Sequence, residues 1–455
     1  MGIYLAIFYT LYTLLSWIIL FRDERALAVY EKLYPHLGAL LVSGRTLLLS
    51  LHLNTVPTAL FAALVSGAFY FYYRALRCRI SAKKILFFSF LFLGIVFFSY
   101  PVLSTDIFDY ILEDRIVNVY HQNIWVTAPA AYPKDPFYQL ASWQTTVNPY
   151  GPVNQFFYTL AGLAGGNSLL LSVITHKLVA IIFAAGFLIL LFQTLSRFFP
   201  DRVEQGLVLV GWNPLFVWEL AGSAHNDIIM LFCLLAGLYF YLGKKYLWAG
   251  LLLGAAVQAK FIAVVLAVFL FAGLVKELKR KPLITFTGAF LAANLTGLAL
   301  LGNGLTGFLD RLVYGSGIYW QSLPMLLTPI IPGSRVIITA GFLIYFLWLL
   351  RRNFLGKEEP LSLYLRAILV YLLFVTTFYW NWYVLWGLVF IPLLPFGRLA
   401  KTFLLFSFTS LLAYAVYWGV LRLNPQSFAG TGIIYLLLAV PPALFYFYQS
   451  NVEKI

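Results

Sequence analysis

Apolar runs recur from one end of this 455-residue chain to the other, separated by short basic links and a few long polar ones. Run length separates a membrane helix from a core helix, because about 20 residues at 1.5 Å each are needed to cross the hydrocarbon. Periodicity and breakers together predict about fourteen spans: 3–21, 47–73, 85–103, 168–195, 203–220, 227–242, 246–259, 261–275, 282–301, 333–350, 361–379, 382–396, 402–421 and 431–448. A further apolar stretch, 152–165, ends in Gly165-Gly166 and is too short to cross, so it reads as an interfacial helix. Segments 246–259 and 261–275 are also short and predict a shallow pair bent at Lys260. Segment 22–46 has balanced charge and reads as amphipathic helix or loop. No repeat of fixed period and no low-complexity tract is visible.

The links sort by charge. Arg74, Arg77, Arg79, Lys83 and Lys84 share one. Lys244 and Lys245 share another, and Lys276, Lys279, Arg280 and Lys281 a third. Arg351, Arg352 and Lys357 follow, then Arg398 and Lys401. Short basic links are the signature of cytoplasmic loops. Links 104–167, 221–226, 302–332 and 422–430 then fall outside. The expected organisation is one integral membrane domain, 1–455, of an all-α, polytopic, multi-pass protein of the cell membrane. Its large first external loop, 104–167, carries interfacial helices and the catalytic residues, and 302–332 is a second external loop. The first 21 residues lack a basic leader and a small-residue cleavage site, which reads as a retained helix.

Composition agrees: 62% of residues are hydrophobic and only 11% charged, against about 45–50% and 25% in soluble domains. The net charge of +14 sits in the links, so it does not point to nucleic acid. Cys78 and Cys233 suggest neither a disulfide nor a metal site.

Against that sparse charge, Pro101-Val102-Leu103-Ser104-Thr105-Asp106 stands out. Asp106, Asp109, Glu113, Asp114 and Arg115 follow within ten residues where an apolar helix ends. Asp106 and Asp109 share a helix face, and Asp114 nearly does. Clustered carboxylates raise one another's pKa, which suits a general base or a divalent-cation site, and spacing does not separate the two. The plain alternative is a helix cap at Ser104 or Asp106 followed by a solvated turn. The loop also holds Asp135 and six aromatics between Tyr120 and Trp143. Link 302–332 holds Asp310, Arg311, Tyr314, Tyr319 and Trp320.

Three other places carry chemistry. Glu219 is an acid within an apolar helix, and His225-Asn226-Asp227 follow on its turn. Asn226 or Asp227 as a helix cap explains part of this, but not Glu219 and His225. Ionisable residues inside a membrane are functional candidates by default. Lys260 interrupts an apolar run with no acid within one helical turn. It either snorkels to the interface or meets an anion such as a lipid phosphate, and His176-Lys177 is a similar candidate. Tyr379-Trp380-Asn381-Trp382-Tyr383 reads as an aromatic belt or a sugar-stacking surface. There is no Walker lysine motif, no GxGxxG and no HExxH. His36 and His52 have no evident partners.

Taken in order, these residues resemble the GT-C class of polyprenol-phosphate-mannose-dependent mannosyltransferases, and within it the prokaryotic α-mannopyranosyltransferases. Pro101, Ser104, Asp106 and Tyr110 resemble the family's opening motif. Asp114-Arg115 lacks the glycine of Asp-Gly-Arg, Asn123-Ile124-Trp125 replaces Asn-Pro-Tyr, and Asn148-Pro149-Tyr150-Gly151-Pro152 matches well. Asn213-Pro214-Leu215, Glu219, His225-Asn226-Asp227, Lys260 and Trp382-Tyr383…Trp386 continue the likeness to about residue 395. Departures between 115 and 125 bear on substrate identity more than on class.

The resemblance implies a glycosyltransferase moving a sugar, mannose by family, from a polyprenyl-phosphate donor to a lipid-linked or glycan acceptor at the external face, with inversion. Asp106 would be the general base. Asp109, Asp114, Arg115, Tyr150, Glu219, His225, Asn226, Asp227, Trp382 and Tyr383 would bind substrate, and Lys260 or Lys177 would neutralise the leaving phosphate. The resemblance implies no certain cofactor; some enzymes of the class use a divalent cation, and the sequence does not decide between the two. The rival reading is a transporter or flippase of lipid-linked or amphipathic substrates, which explains bent helices and buried charges but not the acidic, aromatic external loop.

Overall fold

The computed structural model describes residues 1–20, 23–50, 56–277, 280–314, 321–416 and 428–452. His52, Tyr319, Trp320 and most of link 422–430 lie outside the described residues. Among those described, helices and turns make up the chain and there is no β-strand. That is the form an apolar chain takes when no solvent is available to satisfy its backbone.

The helices are α1 (Gly2–Leu20), α2 (Glu24–Leu33), α3 (Pro35–Ser50), α4 (Val56–Ala75), α5 (Ala82–Phe97), α6 (Asp106–Asn118) and α7 (Pro152–Gly165). They continue as α8 (Leu169–Phe198), α9 (Val203–Gly211), α10 (Pro214–Val217), α11 (Asp227–Leu242), α12 (Tyr246–Ala259), α13 (Val264–Lys276) and α14 (Arg280–Leu301). The last are α15 (Leu305–Tyr314), α16 (Leu323–Leu327), α17 (Ser334–Phe354), α18 (Pro360–Val370), α19 (Leu385–Leu388), α20 (Arg398–Ala415) and α21 (Phe428–Val452). Six stretches are long and apolar enough to cross a membrane: Gly2–Leu20, Val56–Ala75, Leu169–Phe198, Arg280–Asp310, Ser334–Phe354 and Gly430–Tyr448. The chain is an all-α membrane protein.

Several expected spans are broken. The run 85–103 stops at Phe97, because Pro101 lacks an N–H and biases Tyr100 out of the helical region. The run 203–220 is divided at Asn213-Pro214, where the Asn213 side chain accepts the Leu215 N–H, and then opens into a π-helical turn at Trp218–Gly222. The pair expected to bend at Lys260 does so: Lys260 is extended, at φ −153° and ψ 125°, between α12 and a short 3-10 turn at Phe261–Ala263 that leads into α13. The run 382–396 is not one helix but three single turns, Asn381–Val384, Leu385–Leu388 and Ile391–Leu393. Pro392 and Pro395 deny it the donors that a continuous helix needs.

Packing brings these breaks together. α12 lies against α11 and α14, and small residues allow the close approach, as where Gly250 faces the Phe286 carbonyl of α14. α7 sits at the end of α12, and Asn154 Nδ2 donates to the Ala259 carbonyl at 3.1 Å. That bond fixes the turn from which Lys260 projects. α6 is strapped across α7 and α8: Asn118 Nδ2 donates to the Thr159 carbonyl at 3.1 Å, and His176 of α8 meets Asp114 at 2.5 Å.

The start of α7 has no room to spare. Asn148 Oδ1 accepts the Tyr150 N–H at 2.6 Å, which turns the chain into Gly151 and Pro152. A Cβ on Gly151 would stand 2.1 Å from the Gln258 carbonyl oxygen, a backbone atom of α12. Overpacking of this kind typically costs about 1–3 kcal/mol. Gly151→Ala is therefore expected to lower the melting temperature of the detergent-purified protein and to weaken any function that depends on Lys260. A wild-type melting curve would show that α7 does not bear on α12 in this way.

Candidate active site

α6 starts where the chain leaves α5, and its first N–H is taken by its own approach: Asp106 N–H donates to Ser104 Oγ at 3.2 Å. Asp106, Asp109, Tyr110 and Glu113 recur at helical spacing, so they share one face. That face forms one wall of a cavity of about 250 Å³. Trp143 and Tyr150 from the long loop, Lys260 and Phe261 from the α12–α13 break, and Phe378, Trp380, Trp382, Tyr383 and Trp386 complete it. Three carboxylates therefore face one lysine across aromatic walls.

Asp106 is 8% exposed. Tyr110 donates to its Oδ2 at 3.4 Å, and His225 Nδ1 stands 3.8 Å from the same oxygen. Burial lifts the Asp106 carboxyl from its ordinary value to about 6, with Lys260 and the Ser104 hydroxyl pulling down and Asp227 adding to the rise. Asp109 is differently employed. Its Oδ1 accepts the backbone N–H groups of Ser142 and Trp143 at 2.7 and 2.8 Å, which pins the loop that carries Trp143. Its Oδ2 is buried without a hydrogen-bond partner. Burial and then the neighbouring Asp106 push the Asp109 carboxyl well above the usual range, against the two loop N–H groups.

Lys260, expected to lack a nearby acid, has one from another helix. Its Nζ lies 2.8 Å from Asp227 Oδ1, the oxygen that also accepts Trp386 Nε1–H at 2.5 Å. No acid lies within one helical turn of Lys260; of the two more distant acids that could pair with it, Glu219 and Asp227, the partner is Asp227, 33 residues away. The ammonium also faces the rings of Tyr383, Trp386 and Tyr150 at 4.9, 5.3 and 5.4 Å. Aromatic faces hold a cation without neutralising it.

His225 stacks on Trp382, centroids 3.7 Å apart and planes 21° from parallel. Its Nε2 is 3.2 Å from Glu219 Oε2, and Tyr414 donates to Glu219 Oε1 at 2.9 Å. Glu219, His225, Asn226 and Asp227 are all fully buried. The turn that presents them is strained. Ala224 has a φ of 56°, held by Tyr158, whose hydroxyl donates to the Ala224 carbonyl at 3.1 Å. Side-chain-bearing residues rarely adopt that conformation unless their surroundings impose it.

Seven candidates do not line the cavity: Glu219, His225, Asn226 and Asp227 are buried behind it, and Asp114, Arg115 and Lys177 are engaged elsewhere. Asp114 is occupied by His176 and by Gln155 Nε2, which donates to its Oδ1 at 3.0 Å. Arg115 reaches Asp135 at 2.7 Å and Asn167 at 3.0 Å, and lies over the Phe137 ring. Lys177 donates to the carbonyls of Phe97 and Ser99, where the C-terminal end of α5 favours a cation. Conversely, Glu113, Trp143, Trp380 and Trp386 line the cavity; Glu113, Trp380 and Trp386 fall within the motifs named above, but none of the four was expected to bind substrate. Glu113 was visible as the position seven residues after Asp106. Nothing local marks Trp143 as a partner of α6. Among the described residues no group of three or more His, Cys, Asp or Glu side chains is arranged to hold a metal ion.

The N-terminal-domain model of the alpha-(1->6)-mannopyranosyltransferase family matches residues 14–276. Alpha-(1->6)-mannopyranosyltransferase A of Corynebacterium glutamicum is 24% identical over 237 residues, 49% of this chain and 46% of that protein. A protein of Mycolicibacterium smegmatis named as a probable alpha-(1->6)-mannopyranosyltransferase is 27% identical over 147 residues, 31% of this chain and 26% of that one. The chain thus spans less than half the length of either curated relative. No solved structure matches.

The raised carboxyl of Asp106 has a consequence for stability. Below about pH 4 it is protonated in the folded and unfolded chain alike, and contributes no difference. Between about pH 4 and about 6 the unfolded chain ionises Asp106 while the folded protein keeps it protonated, so stability falls over that window, and above about 6 the buried charge costs its full amount. Asp106→Asn should raise the melting temperature, and by more at about pH 8 than at about pH 5. An equal shift at both pH values, or a lower melting temperature, would show that the charge is well compensated.

Proposed function

The chain belongs to the alpha-(1->6)-mannopyranosyltransferase family, and from that membership we propose that it is an inverting membrane mannosyltransferase. It takes its sugar from a polyprenyl-phosphate donor and passes it to a lipid-linked or glycan acceptor at the external face of the cell membrane. The observation that carries this reading is the meeting of Asp106 and Lys260 in one aromatic-walled cavity. A transfer of this kind needs a base on the acceptor hydroxyl and a cation for the departing phosphate.

In this reading Asp106, near pKa 6, is charged at neutral pH yet retains enough basicity to take the hydroxyl proton as the acceptor oxygen attacks the anomeric carbon. The bond from that carbon to the phosphate oxygen breaks on the opposite side, and Lys260 stabilises the charge that leaves. Among the described residues that line the cavity, Lys260 is the one cation. Its pairing with Asp227 holds it in position, and its aromatic neighbours leave it attractive to an anion. Tyr383, with Tyr150 and Trp143, offers faces on which pyranose rings stack, while Trp382, stacked with His225 and Trp380, backs that wall. Asp109 binds indirectly, by fixing Trp143, and its free oxygen accepts a sugar hydroxyl. Asp114, Arg115 and Lys177 support the site by holding α6, the long loop and the end of α5.

The membrane arrangement belongs to the same reading. About fourteen spans, with the shorter helices counted, would leave the basic links in the cytoplasm and put 104–167 and 302–332 outside. The rival transporter reading expects its charged groups along a passage between matched halves; here the acids, His225 and Lys260 gather around Asp106.

The direct test is incubation of the purified protein with radiolabelled polyprenyl-phosphate-mannose and membrane lipids. Label should pass to a lipid or glycan product. Asp106→Asn should lower turnover by about 10²–10⁴-fold while the donor is still retained on the protein. Absence of transfer by the wild type, or near wild-type turnover by the variant, would sink the assignment.

Sidedness has its own check. Cys78 is exposed in the first basic link, whereas Cys233 is buried. An impermeant thiol reagent should therefore modify inside-out vesicles and spare intact cells. The reverse pattern would turn the topology over and move the cavity to the cytoplasmic face.

A further inference from the structure

Behind Asp106 stand two buried groups for which substrate binding offers no obvious use. Asp106 Oδ2 faces His225 Nδ1 at 3.8 Å. On the far edge of the ring, Nε2 lies 3.2 Å from Glu219 Oε2. Glu219 is anchored at its other oxygen by Tyr414. Both residues are fully buried, yet neither ring nitrogen, nor Glu219 Oε2, has an aligned hydrogen-bond partner. Buried polar atoms in folded proteins are nearly always paired. An imidazole held between two carboxylates with no committed bond is a group whose partner changes.

The surroundings fix that imidazole without satisfying it. Its plane is set by Trp382. The segment that carries it contains a π-helical turn, Trp218–Gly222, and the left-handed Ala224; both features concentrate at functional sites. The ionisable neighbours are few. Lys260, Asp227 and Asp109 flank the Asp106 end. Tyr12, Tyr379 and Tyr414 surround the Glu219 end, with Ser223 beside it.

We propose that His225 and Glu219 form a proton relay behind Asp106, clearing the proton that Asp106 takes from the acceptor hydroxyl. The inference rests on the reading of Asp106 as the base. The acceptor oxygen bonds to the anomeric carbon, the phosphate leaves with the electron pair of the broken bond, and the hydroxyl proton goes to Asp106. Asp106 then gives a proton to His225 Nδ1, while the neutral ring, carrying its hydrogen on Nε2, gives that one to the Glu219 carboxylate. The net change is one proton moved from Asp106 to Glu219. Asp106 is again an anion while product still fills the cavity, so the reverse reaction lacks its acid. When product departs and water enters the cavity, the proton returns along the same file to Asp106 and passes to solvent. His225 and Glu219 touch no substrate; they are positioning residues that act through Asp106.

A double-mutant cycle on the full-length purified enzyme tests this. Glu219→Gln keeps size and the Tyr414 contact but removes the proton's destination. It should lower kcat by about 10- to 100-fold, an effect at or below the range for loss of the base itself. The donor KM should hold and the acid limb of the kcat–pH profile should move. In an Asp106→Asn background the same change should cost nothing further, since groups acting as one unit are not additive. Equal losses in both backgrounds, or a raised KM with an unmoved pH profile, would overturn the relay and leave Glu219 as a packing or binding group. His225→Gln serves the same cycle where Glu219→Gln does not fold. If Asp106→Asn alone keeps near wild-type turnover, the base reading fails. If it is inactive and the cycle is additive, only the relay fails.

Discussion

In an apolar medium every backbone N–H and C=O must be satisfied within the protein, and this constraint decides where the chain is allowed to stop being helical. The interruptions here are not scattered. The stretch between α5 and α6, the turn 218–226, the extended Lys260 and the single-turn pieces after Thr376 all contribute to one cavity or to the groups behind it. Each break is compensated by a neighbour. Lys177 takes the carbonyls at the end of α5, Asn154 takes the last carbonyl of α12, and Tyr158 takes the Ala224 carbonyl. The site exists because the cost of broken helices has been gathered into one place.

Charge follows the same economy. Asp114 meets His176, Arg115 meets Asp135, and Lys260 meets Asp227. Breaking one partner out of a buried pair typically costs about 3–5 kcal/mol, so these pairs hold the helices in register even where they add little net stability. Several groups without a full set of partners gather near Asp106: Asp109 Oδ2, Glu219 Oε2, the His225 ring, the Asn226 amide and Asp227 Oδ2. The pairs at Asp114 and Arg115 position the elements, and these less satisfied groups cluster around Asp106.

The class of fold was legible because membrane helices need long apolar runs, and nothing else in a soluble chain imitates them. Asp106 was legible because a carboxylate cluster at a helix start is rare in a chain so poor in charge. The bend at Lys260 was legible as well, since a lone lysine and two short apolar runs leave few alternatives. What stayed hidden depended on contacts distant in sequence. Trp143 as a wall held by Asp109 and the engagement of Lys177 with the end of α5 each join elements far apart along the chain, and the choice of Asp227 over Glu219 as the counter-charge of Lys260 needed the fold as well. The division of 382–396 into single turns was signalled by Pro392 and Pro395, but hydropathy alone outweighed them. Substrate-binding roles for Asp114 and Arg115 were inferred from motif order, which records neighbours in sequence and not the direction in which a side chain points.

The break at Lys260 also sets the thickness of the protein there. α12 has 14 residues and α13 has 13, so each is only about 20 Å long, well short of a hydrocarbon core of about 30 Å. The helix packed on them is not short: α14, which lies against α12, belongs to the apolar stretch Arg280–Asp310 and is long enough to cross. The bend at Lys260 therefore leaves a notch beside a full-length helix, and the extended residue 260 sits at the depth where the short arms end.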